Sequence, residues 1–115
     1  MSAVSSVNLK IQKGTSFEET FTLTDSSGSG LNLTNSTATS KLRKYPTAGI
    51  AYTFSTTTTV SDNTVKISMA PDKTSELPSG RCYYDLLITY SGGTVLKVVE
   101  GNVIVEETTS LWLSM

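Results

Sequence analysis

The strongest structural signal in this chain is the stretch 81–90. Cys82, Tyr84, Leu86, Ile88 and Tyr90 fall on every second position, with Arg81, Asp85 and Thr89 among the residues between them. A period of two puts the first set on one face of a β-strand. Ser91, Gly92 and Gly93 follow at once and predict a hairpin turn, with residues 94–99 returning. No window of useful length shows apolar residues at helical spacing, so the constraint extends to the whole chain.

The same alternation recurs upstream. Residues 8–13 alternate around Leu9 and Ile11 and stop at Gly14. Residues 16–24 form a second strand through Phe17, Phe21 and Leu23, and residues 25–30 a loop that Leu31 and Leu33 tuck back onto the core. A third strand spans 37–44, with Ala38, Ser40 and Leu42 on one face and Lys41 and Arg43 on the other; Pro46 and Gly49 end it. A fourth is expected over 50–55, with Tyr52 and Phe54 alternating. Thr56 to Thr59 fit an exposed edge strand or an extended connection. Residues 64–69 turn Val65, Ile67 and Met69 inward. Residues 71–77 predict one short helical turn with Leu77 plugging the end of the core, and Gly101 predicts a bulge or bend before the strand at 103–106.

Roughly seven to eight short strands with frequent turns predict a single all-β sandwich. The expected organisation is an N-terminal arm over residues 1–8, a sandwich over 9–107 and a tail over 108–115. The 115 residues suit one domain, and 19 Thr with 17 Ser fit strands and turns. The first residues carry no basic stretch before an apolar run, so no secretion signal is expected. No apolar run approaches the ~18 residues of a membrane span.

Little chemistry is written into the chain. There is no histidine, the usual general base and commonest metal ligand. Cys82, alone of its kind, falls on the apolar face of the 81–90 strand and is expected in the core. The Asp25 to Gly28 loop lacks the repeated acids of a calcium loop. The sequence therefore predicts no enzyme, no cofactor, no metal site and no small-molecule substrate. Net charge is −1, and Lys41, Arg43 and Lys44 beside Tyr45 are too few cations to predict a nucleic-acid site. Asp85 interrupts an apolar strand and is expected to pair across strands with Arg43 or Lys41.

Several segments, in order, carry a resemblance. They are Leu9 to Phe17 with its Lys13-Gly14; Phe21 to Asp25 with Gly28; Leu33-Thr34 through Ala38 to Leu42-Arg43; Leu77-Pro78-Ser79-Gly80 through Tyr84-Asp85-Leu86; and Gly101, Val103 and Val105. Together, over about Leu9 to Glu106, the chain resembles the immunoglobulin-like modules of tailed-bacteriophage virion proteins. It is similar to the N-terminal domain of upper baseplate proteins and to short structural proteins of cyanobacterial phages. The resemblance implies an immunoglobulin-like sandwich of antiparallel strands and a non-enzymatic virion protein, made in the host cytoplasm. Its partners would be other virion proteins and copies of itself, with no nucleic acid and no membrane. A second cysteine and a core tryptophan on a middle strand, hallmarks of antibody domains, are missing.

Within that frame Gly80 permits a tight turn into the strand, and Tyr83 or Tyr84 is expected to bond back across it as a tyrosine corner. Leu111, Trp112 and Leu113 are the expected partner contact, since large aromatics anchor interfaces. The expected location is the tail, baseplate or fibre apparatus. The alternatives are a head decoration protein and a carbohydrate-binding module stacking sugars on Tyr45, Tyr52 or Tyr90.

Overall fold

Two strands near the C-terminal end organise the structure, a computed structural model that describes residues 4–108. β8 (Gly80–Tyr90) and β9 (Val95–Glu106) form the long hairpin expected around Gly92-Gly93. Tyr90 N–H donates to Thr94 O at 2.8 Å and Gly93 takes φ 97°, a value that suits glycine. β4 (Ser36–Arg43) pairs antiparallel with the other edge of β8, and the two-residue β5 (Tyr52–Thr53) pairs with β4. On the far side of β9 lie β1 (Ser5–Ser6) and β2 (Leu9–Gln12).

A second sheet of three antiparallel strands covers this one. Its order is β3 (Phe17–Thr22), β7 (Thr64–Met69) and β6 (Ser55–Thr59). The inward residues of both sheets, among them Leu42, Leu86, Ile88 and Val103 from the larger and Phe21, Val65, Ile67 and Met69 from the smaller, share one core. The described residues are thus an all-β, two-sheet sandwich, with Leu31 and Leu33 buried as expected and Thr56 to Thr59 at a sheet edge. α1 (Pro71–Thr74) is the expected helical turn, and Leu77 beyond it is buried. The buried Thr74 hydroxyl accepts from Gly14 N–H and donates to Thr15 O, each at 2.9 Å, so the turn clips the β2–β3 connection.

Three expectations are corrected. First, not every strand is antiparallel: β1 and β2 run parallel to β9 in one continuous register, Ser5 opposite Val99 and Leu9 opposite Val103. Residues 5 and 6, placed in an arm by the sequence, are therefore part of the larger sheet. Second, residues 50–55 do not make one strand. Ile50 is exposed, β5 lies in the larger sheet, and the chain crosses to β6 at Phe54, which is buried and donates its N–H to Ser40 O. Alternation alone cannot reveal a strand that changes sheets midway. Third, the bulge is not at Gly101. The register slips between Leu86 and Leu87, which face Val99 and Lys97, leaving Val98 as the extra residue; Val98 and Val99 are both buried.

Gly101 serves another need. A Cβ there would overlap the Val7 carbonyl, so the interruption between β1 and β2 rests on bare backbone. The freed groups find side chains. Tyr84, 4% exposed, donates its hydroxyl to Val7 O at 2.7 Å, and Asn8 Oδ1 accepts Asn102 N–H at 3.1 Å. Burial raises the Tyr84 hydroxyl well above its ordinary pKa, and the Glu19 carboxylate adds to the shift. Glu19 alternates with Phe17 and Phe21 along the edge strand β3, and an inward carboxylate at an edge discourages strand addition there.

Candidate functional site

The outward residues of β4, β8, β9 and the β1–β2 strand line a groove of about 540 Å³ across the larger sheet. The registers fix its rows: Lys41 faces Asp85, which faces Glu100; Arg43 faces Tyr83, which faces Asn102. Rigid, paired strands thus hold cations along one side and carboxylates along the middle. The like charges of Asp85 and Glu100 are directly opposed, and Lys97 relieves them by reaching Glu100 Oε1 at 3.2 Å.

The cross-strand pair expected for Asp85 does not form. No cation among the described residues comes within ion-pair distance of it, although Lys41 stands opposite in register. Arg43 is committed elsewhere: Nη1 donates to Ala48 O at 2.6 Å. The guanidinium therefore clips the loop between β4 and β5. Lys44 anchors the same loop by donating to Ser79 O at 2.9 Å, and Ala48 N–H closes a turn onto Tyr45 O. Within this loop Tyr45 is 62% exposed and Ile50 68% exposed, and Pro46 lines the groove.

The tyrosine corner is also corrected. Gly80 does take φ 97° at the entry to β8, but Tyr84 faces the core and bonds Val7, on the opposite flank of the sheet from β4. Tyr83 faces outward into the groove. Of the three tyrosines considered for sugar stacking, Tyr52 packs against the core and Tyr90 does too, with its hydroxyl donating to Asn32 O at 2.6 Å; Tyr45 alone stands clear. Cys82 is buried, as expected, and burial raises its thiol pKa, which keeps it in the unreactive protonated form.

The Asp25 carboxylate is spent on its own loop. It accepts from Ser27 Oγ at 2.6 Å, Ser27 N–H at 2.9 Å and Ser29 N–H at 3.1 Å, and the Ser27 hydroxyl bond leads the lowering of its pKa. Among the described residues no three acidic or cysteine side chains gather closely enough to hold a metal ion, and no helix is long and apolar enough to cross a membrane. Leu111, Trp112 and Leu113 lie outside the described residues. Sequence reasoning used Pro46 and Gly49 to end the third strand but started the next one at Ile50, and so missed that Ile50 belongs to the exposed loop.

No family model matches the chain, and no curated protein matches its sequence. Among solved structures it is similar to an internalin-like protein of Listeria monocytogenes, at 16% identity and a TM-score of 0.48. That match covers 93% of this chain but only 29% of the other, so the chain spans under a third of the protein it matches.

Proposed function

We propose that this chain is a non-enzymatic structural module of a tailed-phage particle, immunoglobulin-like in fold, that assembles through contacts with other virion proteins and with copies of itself. The phage setting, in the tail, baseplate or fibre apparatus, rests on the sequence resemblance. The observation that carries the assembly reading is the surface just described: a groove of mixed charge on rigid strands, continued by a clipped loop with an exposed tyrosine and isoleucine. Interfaces favour such surfaces, in which aromatic and arginine side chains are held in place before the partner arrives.

Quantifying the chain in purified particles tests the reading. Six to a few dozen copies per particle are expected for tail apparatus. Hundreds of copies would move the chain to the head surface, as a decoration protein, and absence from particles would overturn the virion reading. Deleting residues 109–115 tests the expected Trp112 contact separately. The truncated chain is expected to melt cooperatively yet fail to enter particles; normal incorporation would remove Leu111, Trp112 and Leu113 from the interface.

A further inference from the structure

Five large apolar side chains are exposed among the described residues: Val4, Tyr45, Ile50, Val60 and Val95. The two most exposed, Tyr45 and Ile50, share the loop between β4 and β5. That loop is not slack. Arg43 holds its Ala48 carbonyl, Lys44 ties its start to Ser79 O, and the Ala48 to Tyr45 bond closes a turn inside it. Two apolar side chains are thus displayed on a fixed base, which lowers the ordering cost of any complex they enter.

Three cations lead into this loop, Lys41, Arg43 and Lys44. Lys10, Lys13, Lys66 and Lys97 each reach a glutamate within ion-pair distance. Lys41, Arg43 and Lys44 reach none among the described residues, and neither do Lys73 and Arg81, but only the first three lie together in sequence. The base of the loop therefore gathers three cations, with Asp85 opposite Lys41 in the strand register. Polyanionic nucleic acid is a poor occupant, because Asp85 and Glu100 line the adjoining groove and three cations are few for a phosphate backbone.

We propose that the β4–β5 loop is a docking knob for a protein partner: Tyr45 and Ile50 enter an apolar recess whose rim carries carboxylates facing Lys41, Arg43 and Lys44. The assignment rests on the assembly reading above, though not on the virion setting. It adds the contact element and the chemistry of the surface that receives it.

The purified chain is tested against a displayed library of random peptides. Enriched peptides are expected to combine Asp or Glu with aromatic or aliphatic residues and to bind more weakly as salt rises. The double change Tyr45→Ser with Ile50→Ser is expected to lower their affinity by about tenfold or more, since exposed anchors can be removed without touching the core. Lys41→Ser with Lys44→Ser is expected to weaken binding chiefly at low salt. Val60→Ser with Val95→Ser, exposed elsewhere, is expected to leave it unchanged. An unchanged melting curve for each variant shows that the fold is intact.

The proposal is overturned by no enrichment, by enriched peptides lacking carboxylates, or by equal binding to the Tyr45 and Ile50 double variant. Preferential binding to anionic phosphatidylserine vesicles would overturn it, as would self-association of the chain that the double change abolishes. Particle incorporation keeps the two readings apart. A double variant that enters particles normally sinks the knob and leaves the assembly reading standing. A wild-type chain absent from particles, yet still selecting acidic peptides, sinks the virion setting alone.

Discussion

The two faces of the larger sheet treat polar groups in opposite ways. On the inner face the buried polar side chains of β4 and β8 are bonded to backbone. Tyr84 holds Val7 O, the Ser40 hydroxyl holds Asp85 O at 2.7 Å, the half-buried Tyr90 holds Asn32 O, and Cys82, Leu86 and Ile88 of β8 are buried. One residue along, on the outer face, Tyr83 and Asp85 point into a groove, and neither side chain bonds a partner among the described residues. The same strand thus carries a face under full internal constraint and a face whose groups are free for water or a partner. The pleat separates core packing from the outward groove, so substitutions at neighbouring positions should have unequal effects.

The largest contrast is expected between adjacent leucines. Leu86→Ala removes a fully buried side chain and should cost about 2–5 kcal/mol. Leu87→Ala, on the groove side, should cost well under half of that. Chemical denaturation of the two variants measures the gap, and equal losses would erase the distinction between the faces.

Next in size is Gly101→Ala. The added methyl meets the Val7 carbonyl, and the β1–β2 strand must shift or detach. Overpacking against backbone is expected to cost about 1–3 kcal/mol. Hydrogen exchange should show the amides of Val7 and Lys13 losing protection before those of β4, since both donate to the backbone of β9.

Tyr84→Phe removes one hydroxyl and should cost about 1–2 kcal/mol, because the Val7 carbonyl loses its donor. It also carries a pH signature. The folded-state pKa of Tyr84 is raised, so the neutral form stabilises the fold. That contribution is fully present below the unfolded tyrosine value of about 10 and is lost as pH rises from there toward the folded value. Wild-type stability should therefore fall with alkali above about pH 10, and the Tyr84→Phe chain should fall less steeply. Parallel alkaline curves for the two chains would contradict the assignment.

The smallest effect belongs to the outer face. Asp85→Ala and Arg43→Ala are expected to give additive losses, with a coupling under about 0.5 kcal/mol, since the two side chains do not pair. Arg43→Ala alone should loosen the β4–β5 loop, which limited proteolysis near Ala48 would register. A coupling well above that bound would restore the ion pair that the sequence suggested.

Much of this architecture was legible because burial alternates. The inward residues of β7 and β8 read straight from period two, while Leu77 followed from the helical turn before it and Leu31 and Leu33 from the loop they tuck onto the core. What could not be read were features set by tertiary proximity. Gly101 looked like a bulge because a glycine in a strand signals irregularity, but only the path of Val7 distinguishes a slipped register from a close backbone approach. Asp85 and Arg43 looked like partners because they lie on neighbouring strands; the competing acceptor, Ala48 O, lies five positions along the chain from Arg43 and becomes available only once the loop folds back. The groove shares this origin. Its lining comes from four strand segments far apart in sequence, and no local pattern announces it.

The parallel pairing of β1 and β2 with β9 has a consequence in time. Asn8 and Asn102, bonded in the finished sheet, are separated by 94 positions. During synthesis the first strand emerges with nothing to pair against, and at about 5–20 residues per second it waits on the order of 5–20 s for its partner to be made. Throughout that interval Leu9 and Ile11, destined for the core, stand in water. β4, β5 and β8 can pair before β9 is made, but the N-terminal strand pairs only with β9, so its place in the larger sheet is completed only once residue 106 has been translated.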